Sequence, residues 1–230
     1  MNEFDYIKNN YDSLCEEISS IASRVGTKVP TLVSVTKSGS DEELLALAAA
    51  GAVDIGENRP GEVSRRGDIL RAAGFSPRMH EIGTLQRNKI KLIADTVYMI
   101  HSVDSKKLAE DINRHAEARG RIIPILIEVN SAKEEQKSGV MPEDAERLLC
   151  DIADLKNIKI SGLMTMGPNV EDPEELRPYF RLTRKLYDEL LCRYGFGDTP
   201  TLSMGMSDSY AVAIEEGSTL VRVGRRLFKK

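Results

Sequence analysis

The 230-residue chain carries 32 basic and 36 acidic residues, a net charge of −4, which gives it no general attraction to nucleic acid or to an anionic membrane. This length suits one α/β barrel domain with a sizeable core. Three cysteines, an odd number without the paired spacing of a zinc site, predict reduced thiols and no metal centre. The chain start does not resemble a secretory leader and no apolar stretch approaches transmembrane length, so we expect a cytoplasmic protein.

Hydrophobic periodicity predicts helices and strands in alternation along the whole chain. Apolar side chains at helical spacing predict a first helix over residues 4–25, which Gly26 and Pro30 close. The predicted strands follow it at residues 32–37, 53–58, 79–83, 97–103, 122–130, 158–166, 202–206 and 219–223. Each strand except the last precedes a segment with helical spacing or helix-start residues, such as Ser40-Asp41 after the first strand.

This alternation favours an α/β fold of one kind, a single TIM-type (β/α)8 barrel with an extra N-terminal helix. A doubly wound open sheet is the alternative. Neither Gly-x-Gly-x-x-Gly after the first strand nor Gly-x-x-x-x-Gly-Lys-Ser/Thr anywhere is present, so the usual nucleotide sites of open sheets are missing. We expect one domain over residues 1–230, with 1–28 forming a helix packed outside the barrel.

The predicted strand ends are unusually polar. In a parallel barrel all these ends open on one face, where ligands bind. The residues there are Lys37, Asn58, His80 with Gly83, His101 with Ser102, Asn130, Thr165 with Met166, Ser203 to Ser207, and Arg222 with Gly224. A purely structural barrel is not expected to gather a lysine, an arginine and several amides on one face, so the pattern predicts a binding or catalytic site.

Lys37 ends the first predicted strand and passes at once into a polar turn. A desolvated lysine has a lowered pKa and can form a Schiff base with a carbonyl compound. The alternative is a side chain whose ammonium simply reaches solvent from the strand end. The polar ends of the other strands favour the chemical interpretation.

The loops after strands seven and eight predict an anion site. Ser203-Met204-Gly205-Met206-Ser207-Asp208 leads from a strand into a helix through a small residue, which leaves backbone N–H groups free, and the Ser207 hydroxyl adds a donor. Arg222-Val223-Gly224-Arg225 repeats the arrangement on the next loop, the usual phosphate position of such barrels. Each segment alone would suit an ordinary helix cap, but the two together favour a phosphate.

A phosphate site, a lysine and an arginine on one face fit an aldehyde-bearing phosphorylated cofactor, with pyridoxal 5′-phosphate (PLP) first in line. Lys37 would form the Schiff base and the two loops would hold the phosphate. Arg222 would face the pyridine nitrogen. Because a guanidinium stays protonated and can only donate, it would keep that nitrogen unprotonated.

A series of short motifs runs through nearly the whole chain. They are Thr36-Lys37, Gly56-Glu57-Asn58, His80-x-Ile82-Gly83-x-Leu85-Gln86-x-Asn88-Lys89, Ile100-His101-Ser102-Val103-Asp104, Val129-Asn130, Lys137-Ser138-Gly139, Gly162-Leu163-Met164-Thr165, Ser203-Met204-Gly205-Met206-Ser207-Asp208 and Gly217-Ser218-Thr219-Leu220-Val221-Arg222-x-Gly224. Together they strongly resemble the pyridoxal phosphate homeostasis protein family. The resemblance implies a barrel related to the N-terminal domain of alanine racemase.

The resemblance also implies a function and a set of site residues. Members of the family bind PLP through a lysine, have no established catalytic activity and are implicated in intracellular vitamin B6 and amino-acid homeostasis. Lys37 would be the Schiff-base lysine, Asn58 a cofactor contact and Arg222 the partner of the pyridine nitrogen. The residues implied around the phosphate are Ser203, Gly205, Met206, Ser207, Gly224 and Arg225. Arg225 departs from the small or hydroxylated residue that is common there.

Three functional hypotheses follow. The first is a monomeric binding protein that buffers PLP or delivers it to PLP-dependent apo-enzymes, with no nucleic-acid or membrane partner. The second is a barrel-only PLP-dependent amino-acid racemase, with Lys37 as the base on one face and His80 or a tyrosine on the other. The third is a Schiff-base aldolase without a cofactor. For the basic segment 86–91 we predict a solvated helix face rather than a partner site.

Overall fold

The computed structural model describes residues 3–134 and 136–230. Within them, eight parallel strands close into a barrel in which each strand pairs with the next and β8 pairs with β1. The strands are β1 Thr31–Val35, β2 Asp54–Glu57, β3 Arg78–Glu81, β4 Val97–Val103, β5 Ile123–Val129, β6 Ile158–Thr165, β7 Thr201–Ser203 and β8 Leu220–Val223. The helices are α1 Asp5–Val25, α2 Asp41–Ala49, α3 Pro60–Ala72, α4 Ile90–Ile93, α5 Lys106–Glu117, α6 Ala145–Ile152, α7 Arg177–Tyr194 and α8 Tyr210–Glu215.

The predicted TIM-type barrel with an extra N-terminal helix is therefore confirmed, and the open-sheet alternative is wrong. Helix α1 buries one apolar stripe that includes Ile7, Leu14 and Ile18, and it packs against α2 and α8 outside the barrel. It ends at Gly26, whose φ of 73° provides the left-handed C-cap that favours glycine.

The apolar core has two parts because successive strand residues point to opposite faces of the sheet. The larger part lies between strands and helices and includes Ile125 and Ile127. Leu126, between those two in β5, belongs instead to a small separate cluster with Met99 and Met164 inside the barrel. The barrel interior also contains buried polar side chains, among them His80, His101 and Arg222.

Several strands end earlier than the hydrophobic pattern predicts. β1 ends at Val35, so that Lys37 lies two residues further on in a turn. β7 ends at Ser203 rather than Met206, because Gly205 has a φ of 94° that an extended strand does not adopt. Helix α8 begins only at Tyr210, seven residues after the end of β7 at Ser203.

The basic helix predicted at 86–91 is instead a short 3-10 turn, Arg87–Lys89, followed by the single turn of α4. In the part of the chain that the structure describes, no helix has both the length and the apolar character to cross a membrane. The same residues hold no group of three or more His, Cys, Asp or Glu side chains arranged to bind a metal ion.

Candidate functional site

The carboxyl ends of the strands surround a cavity of about 490 Å³, which we call the main cavity. Seven of the nine predicted site residues line it, and they are Lys37, Asn58, Met206, Ser207, Arg222, Gly224 and Arg225. Ser203 and Gly205 do not. Both are buried, and their place around a phosphate stays a prediction.

Lys37 enters the main cavity from the turn between β1 and α2. Its side chain is exposed and forms no ion pair or hydrogen bond with any residue that the structure describes. The desolvation expected of a strand-end lysine is thus absent. Just after the turn, a capping box starts α2: Ser40 accepts from the Glu43 N–H at 3.2 Å, and the Glu43 carboxylate accepts from the Ser40 N–H at 2.6 Å.

A buried arginine supports this turn from below. Arg66 donates to the Thr36 carbonyl at 2.8 Å and to the Gly39 carbonyl at 2.7 Å, on either side of Lys37. Its Nε lies 3.3 Å from Glu57 Oε1, and the Thr36 hydroxyl donates to the same carboxylate oxygen. The sequence does not distinguish Arg66 from its neighbour Arg65 in the same polar helix. Arg65 is an ordinary surface residue with 44% of its side chain exposed, and the buried position of Arg66 was therefore missed.

Two buried carboxyl groups lie side by side at the ends of β2 and β3. Glu57 and Glu81 are register partners, and Oε2 of each has no hydrogen-bond partner among residues 3–134 and 136–230. Burial raises the pKa of Glu57, and burial together with the Glu57 charge raises the pKa of Glu81 to about 8. Glu81 Oε1 accepts from the Gly83 N–H at 3.0 Å, which orients the next loop.

Gly83 lets two loops approach each other closely at the cavity wall. A Cβ at this position would lie 2.4 Å from the Asn58 carbonyl oxygen, a distance that no side chain tolerates. The glycine therefore keeps Asn58 and the loop after β3, with Ile82 and Thr84, together in the lining.

Ser207 joins the two loops predicted to hold a phosphate. Its Oγ accepts from the Gly224 N–H at 3.2 Å, which leaves its O–H free to donate. The backbone N–H groups of Ser207, Asp208 and Arg225 have no acceptor among the described residues. All three residues line the main cavity, so this wall offers a concentration of donors.

The Arg225 side chain is not free at this wall. It is paired with Asp208, and both side chains are largely exposed, at 74% and 68%. Arg225, the residue that departs from the family pattern, thus partly neutralises the Asp208 carboxylate beside the backbone N–H donors.

Arg222 reaches the cavity from the opposite direction, through the barrel interior. It is 4% exposed, donates to Ser203 Oγ, and donates to the Thr165 carbonyl at 3.1 Å. Burial lowers its pKa to about 10, with the charge of Glu128 opposing this shift, so the guanidinium remains protonated near neutral pH. Ser203 therefore helps to hold the Arg222 guanidinium in place.

His80 does not occupy the position of a second base. It is 1% exposed, does not line the main cavity, and is bonded to Asp54 and His101. Of the residues that the structure describes, no histidine or tyrosine lines the main cavity opposite Lys37. The role that the racemase hypothesis gave to His80 or a tyrosine therefore has no support in the geometry.

A side chamber of about 360 Å³ adjoins the main cavity, and the two share Met166, Pro168, Asn169 and Met206 in their linings. Glu128 lies at its wall, and burial, together with the charge of Asp104, raises the pKa of this carboxyl to about 7. Lys137 also lines the chamber, where it pairs with Glu134 at 2.8 Å. The partly exposed Met166 and Met206 give the shared boundary an adaptable apolar surface.

The fold and this site define a class of protein. The family model described as the alanine racemase N-terminal domain matches residues 10–230. A curated relative from Aquifex aeolicus, named pyridoxal phosphate homeostasis protein, is 39% identical and aligns over 93% of this chain and 96% of its own length. A relative of the same name from Helicobacter pylori is 36% identical over 86% of this chain and 87% of its own. The chain belongs to the pyridoxal phosphate homeostasis protein family, as its motifs predicted.

Solved structures agree with this assignment. A crystal structure described as that of an unknown protein from Bifidobacterium adolescentis is 35% identical with a TM-score of 0.91, and the match covers 99% of this chain and 97% of that chain. PipY of Synechococcus elongatus, solved with PLP bound, is 29% identical with a TM-score of 0.84, covering 97% and 100%. Alanine racemase of Clostridium difficile has a TM-score of 0.74 at 16% identity and extends beyond the match, which covers 60% of it, so it shares the fold alone.

Proposed function

We propose that this chain is a PLP-binding protein of vitamin B6 and amino-acid homeostasis that holds the cofactor as a Schiff base on Lys37 without turning over a substrate. The observation that carries the proposal is the convergence of an unpaired lysine, a buried arginine and a donor-rich wall on one cavity of about 490 Å³. The PLP-bound structure of PipY, a protein with the same fold over the whole chain, supports the choice of cofactor.

The residues fit the three chemically distinct parts of PLP. Lys37 carries an amine without a competing partner in the described chain, as a covalent link to the aldehyde requires. Ser207 and the nearby free N–H groups suit a phosphate. Arg222, fixed by Ser203 and the Thr165 carbonyl, would donate to the pyridine nitrogen. Asn58 and Met206 complete the lining, whereas Gly205 and Gly224 allow the loops to pack.

The bound group supplies an aldehyde and a conjugated ring, and the chain supplies binding and orientation. Among the described residues that line the main cavity there is no histidine or tyrosine opposite Lys37 to move a proton to or from an amino acid, so the proposal stops at binding. The cytoplasm is the compartment that we infer, with PLP-dependent apo-enzymes as recipients and a monomer as the working form. Light scattering on the purified protein tests the last of these, since a stable dimer contradicts it.

The test of the proposal is chemical capture of the cofactor. The purified protein is incubated with PLP, its visible absorption band recorded, the bond reduced with borohydride and the modified lysine found by peptide mass spectrometry. We expect the label on Lys37, and loss of both band and label in Lys37→Ala. Lys28→Ala, an exposed lysine outside the cavity lining, is the matched control and should behave as the parent. A label on Lys137, or an unchanged band in Lys37→Ala, would contradict the assignment.

A further inference from the structure

Side chains cross the barrel interior in an unbroken hydrogen-bonded chain from the floor of the main cavity to the start of β2. In order, they are Arg222, Ser203, His101, His80 and Asp54. After the bond from Arg222 to Ser203, the successive distances are 3.1 Å (Ser203 Oγ to His101 Nδ1), 2.9 Å (His101 Nε2 to His80 Nδ1) and 3.0 Å (His80 Nε2 to Asp54 Oδ1). Every member is at least nine-tenths buried.

The two end groups of this hydrogen-bonded chain determine the direction in which its members donate. A guanidinium can only donate, so Ser203 Oγ accepts from Arg222. Burial alone would raise the pKa of Asp54, yet hydrogen bonds from His80 and Arg78 hold that pKa below its usual value. The carboxylate therefore accepts, and His80 Nε2 carries a proton.

The two imidazoles between these ends donate and accept hydrogen bonds in the same direction. Both rings are almost completely buried, and burial, opposed at His80 by Asp54, lowers the pKa of each, which favours neutral rings. A neutral ring has one N–H, so His80 Nδ1 accepts from His101 Nε2–H, and His101 Nδ1 accepts from the Ser203 hydroxyl. The reverse direction would require a doubly protonated His80 in a fully buried position.

We propose that His80 and His101 are positioning residues, held as neutral Nε2–H tautomers in a one-directional chain that ties the Arg222 guanidinium at the cavity floor to the Asp54 carboxylate at the other end of the barrel. Arg222 forms no ion pair with any described residue, and the polarised chain adds a distant negative charge to that of Glu128. The consequence for PLP rests on the proposed function, whereas the chain itself is a property of the protein alone.

The first test uses the cofactor-free protein. The protein has three histidines, so spectra of single-histidine variants assign every ring nitrogen in a long-range ¹⁵N–¹H correlation spectrum. We expect His80 and His101 to show the neutral Nε2–H form throughout the range from about pH 5.5 to about 8. An Nδ1–H form of either buried ring, or its protonation within that range, would overturn the proposal.

The second test removes the negative end. In Asp54→Asn the amide can donate or accept, so the direction is no longer fixed, and we expect a second, Nδ1–H form of His101 in the spectrum. PLP affinity should fall about tenfold, the effect of weakening one charged hydrogen bond. Arg78→Gln is the matched control, because it removes the other partner of Asp54 and leaves the chain intact. It should keep both the tautomers and the affinity.

The third test uses two variants of His101 and covers the case in which Asp54→Asn does not fold. A glutamine at position 101 can accept from Ser203 and donate to His80, whereas a leucine can do neither. We expect His101→Gln to stay within about threefold of the parent in PLP affinity and His101→Leu to lose about tenfold. Equal affinities in the two variants would overturn the positioning role. Failure of the parent to bind PLP would instead overturn the proposed function and leave the tautomer result standing.

Discussion

The rim and the floor of the main cavity are built from opposite kinds of residue. The rim, which comprises Lys37, Asn58, Met206, Asp208 and Arg225, is exposed, and its one ion pair is on the surface. The floor is formed by Arg222, and Ser203, His101, His80 and Asp54 continue from it away from the cavity; all five are buried and joined by hydrogen bonds. Rim side chains can therefore change partners as a ligand enters, whereas floor side chains present one fixed arrangement.

The largest expected effect lies in the buried support beneath the rim. Arg66→Ala removes two bonds to the Lys37 turn and leaves Glu57 buried without its cation, which should cost about 3–5 kcal/mol of unfolding free energy. For a chain of this size the melting temperature should fall by roughly 10 °C. Arg65→Ala, next to it in sequence, removes only exposed ion pairs and should cost at most about 1 kcal/mol. Thermal unfolding of both variants measures the contrast, and equal losses would contradict it.

The second effect is a pH dependence that arises from Glu81. Its pKa is about 8 in the folded protein and near 4.5 when unfolded, so the folded state holds the extra proton between these values. The stability that the buried neutral Glu81 contributes is therefore fully present below about pH 4.5 and is lost as the pH rises to about 8. Glu81→Gln, which can still accept from Gly83, should flatten this decline and unfold at a higher temperature at pH 8.

Denaturant titrations at several pH values measure this slope, with Glu110→Gln on the exposed face of α5 as the control. Glu57 and Glu128, whose pKa values are also raised by burial, contribute in the same sense and leave a residual slope in Glu81→Gln. A slope that is identical in the parent and in Glu81→Gln would show that Glu81 is ionised in the folded state.

A smaller effect is expected where the rim meets the phosphate. Ser207→Ala removes one hydroxyl donor and leaves the backbone donors, so PLP affinity should fall by about one to two decades, the equivalent of about 1.5–3 kcal/mol. The absorption band should persist at high cofactor concentration. Ser38→Ala, an exposed serine beside Lys37 that does not line the cavity, is the control. An unchanged dissociation constant in Ser207→Ala would place the phosphate elsewhere.

The smallest effect belongs to Arg225. Because it is paired with the exposed Asp208, Arg225→Thr exposes a carboxylate to the phosphate and should weaken PLP binding a few-fold at low salt. The difference should vanish at about 0.5 M salt, where such charges are screened. Arg225→Thr with Asp208→Asn should restore most of the affinity in a double-mutant cycle. Additive effects of the two substitutions would show that each acts on the phosphate independently.

The sequence predicted the rim better than the floor. Lys37, Asn58, Ser207 and Gly224 lie next to strand ends or glycine turns, which local patterns reveal. The family resemblance placed Ser203 near the phosphate, and the structure shows in addition that its hydroxyl bonds to Arg222 inside the barrel at the end of β7. No local pattern shows which way such a side chain points.

The residues that sequence analysis missed depend on contacts between distant segments. Arg66 and Arg65 differ only in helix phase, yet one is buried under the Lys37 turn and the other is exposed. His80 and His101 were recognised as strand residues, but their bond depends on the register between β3 and β4, which shifts between Met79 and His80. Such a shift is a tertiary property that a hydrophobic pattern does not encode.

Strand β8 pairs with β1, with Arg222 as the register partner of Val33, and this pairing has a consequence for how the protein folds. Lys37 and Arg222 come from opposite ends of the sequence, so no folding intermediate that lacks the β8–β1 seam can hold the cofactor from both sides. PLP would then bind only the closed barrel and stabilise that seam by mass action. The concentration of PLP would thereby affect the fraction of chains with a closed barrel, and with it the rate at which this protein is degraded.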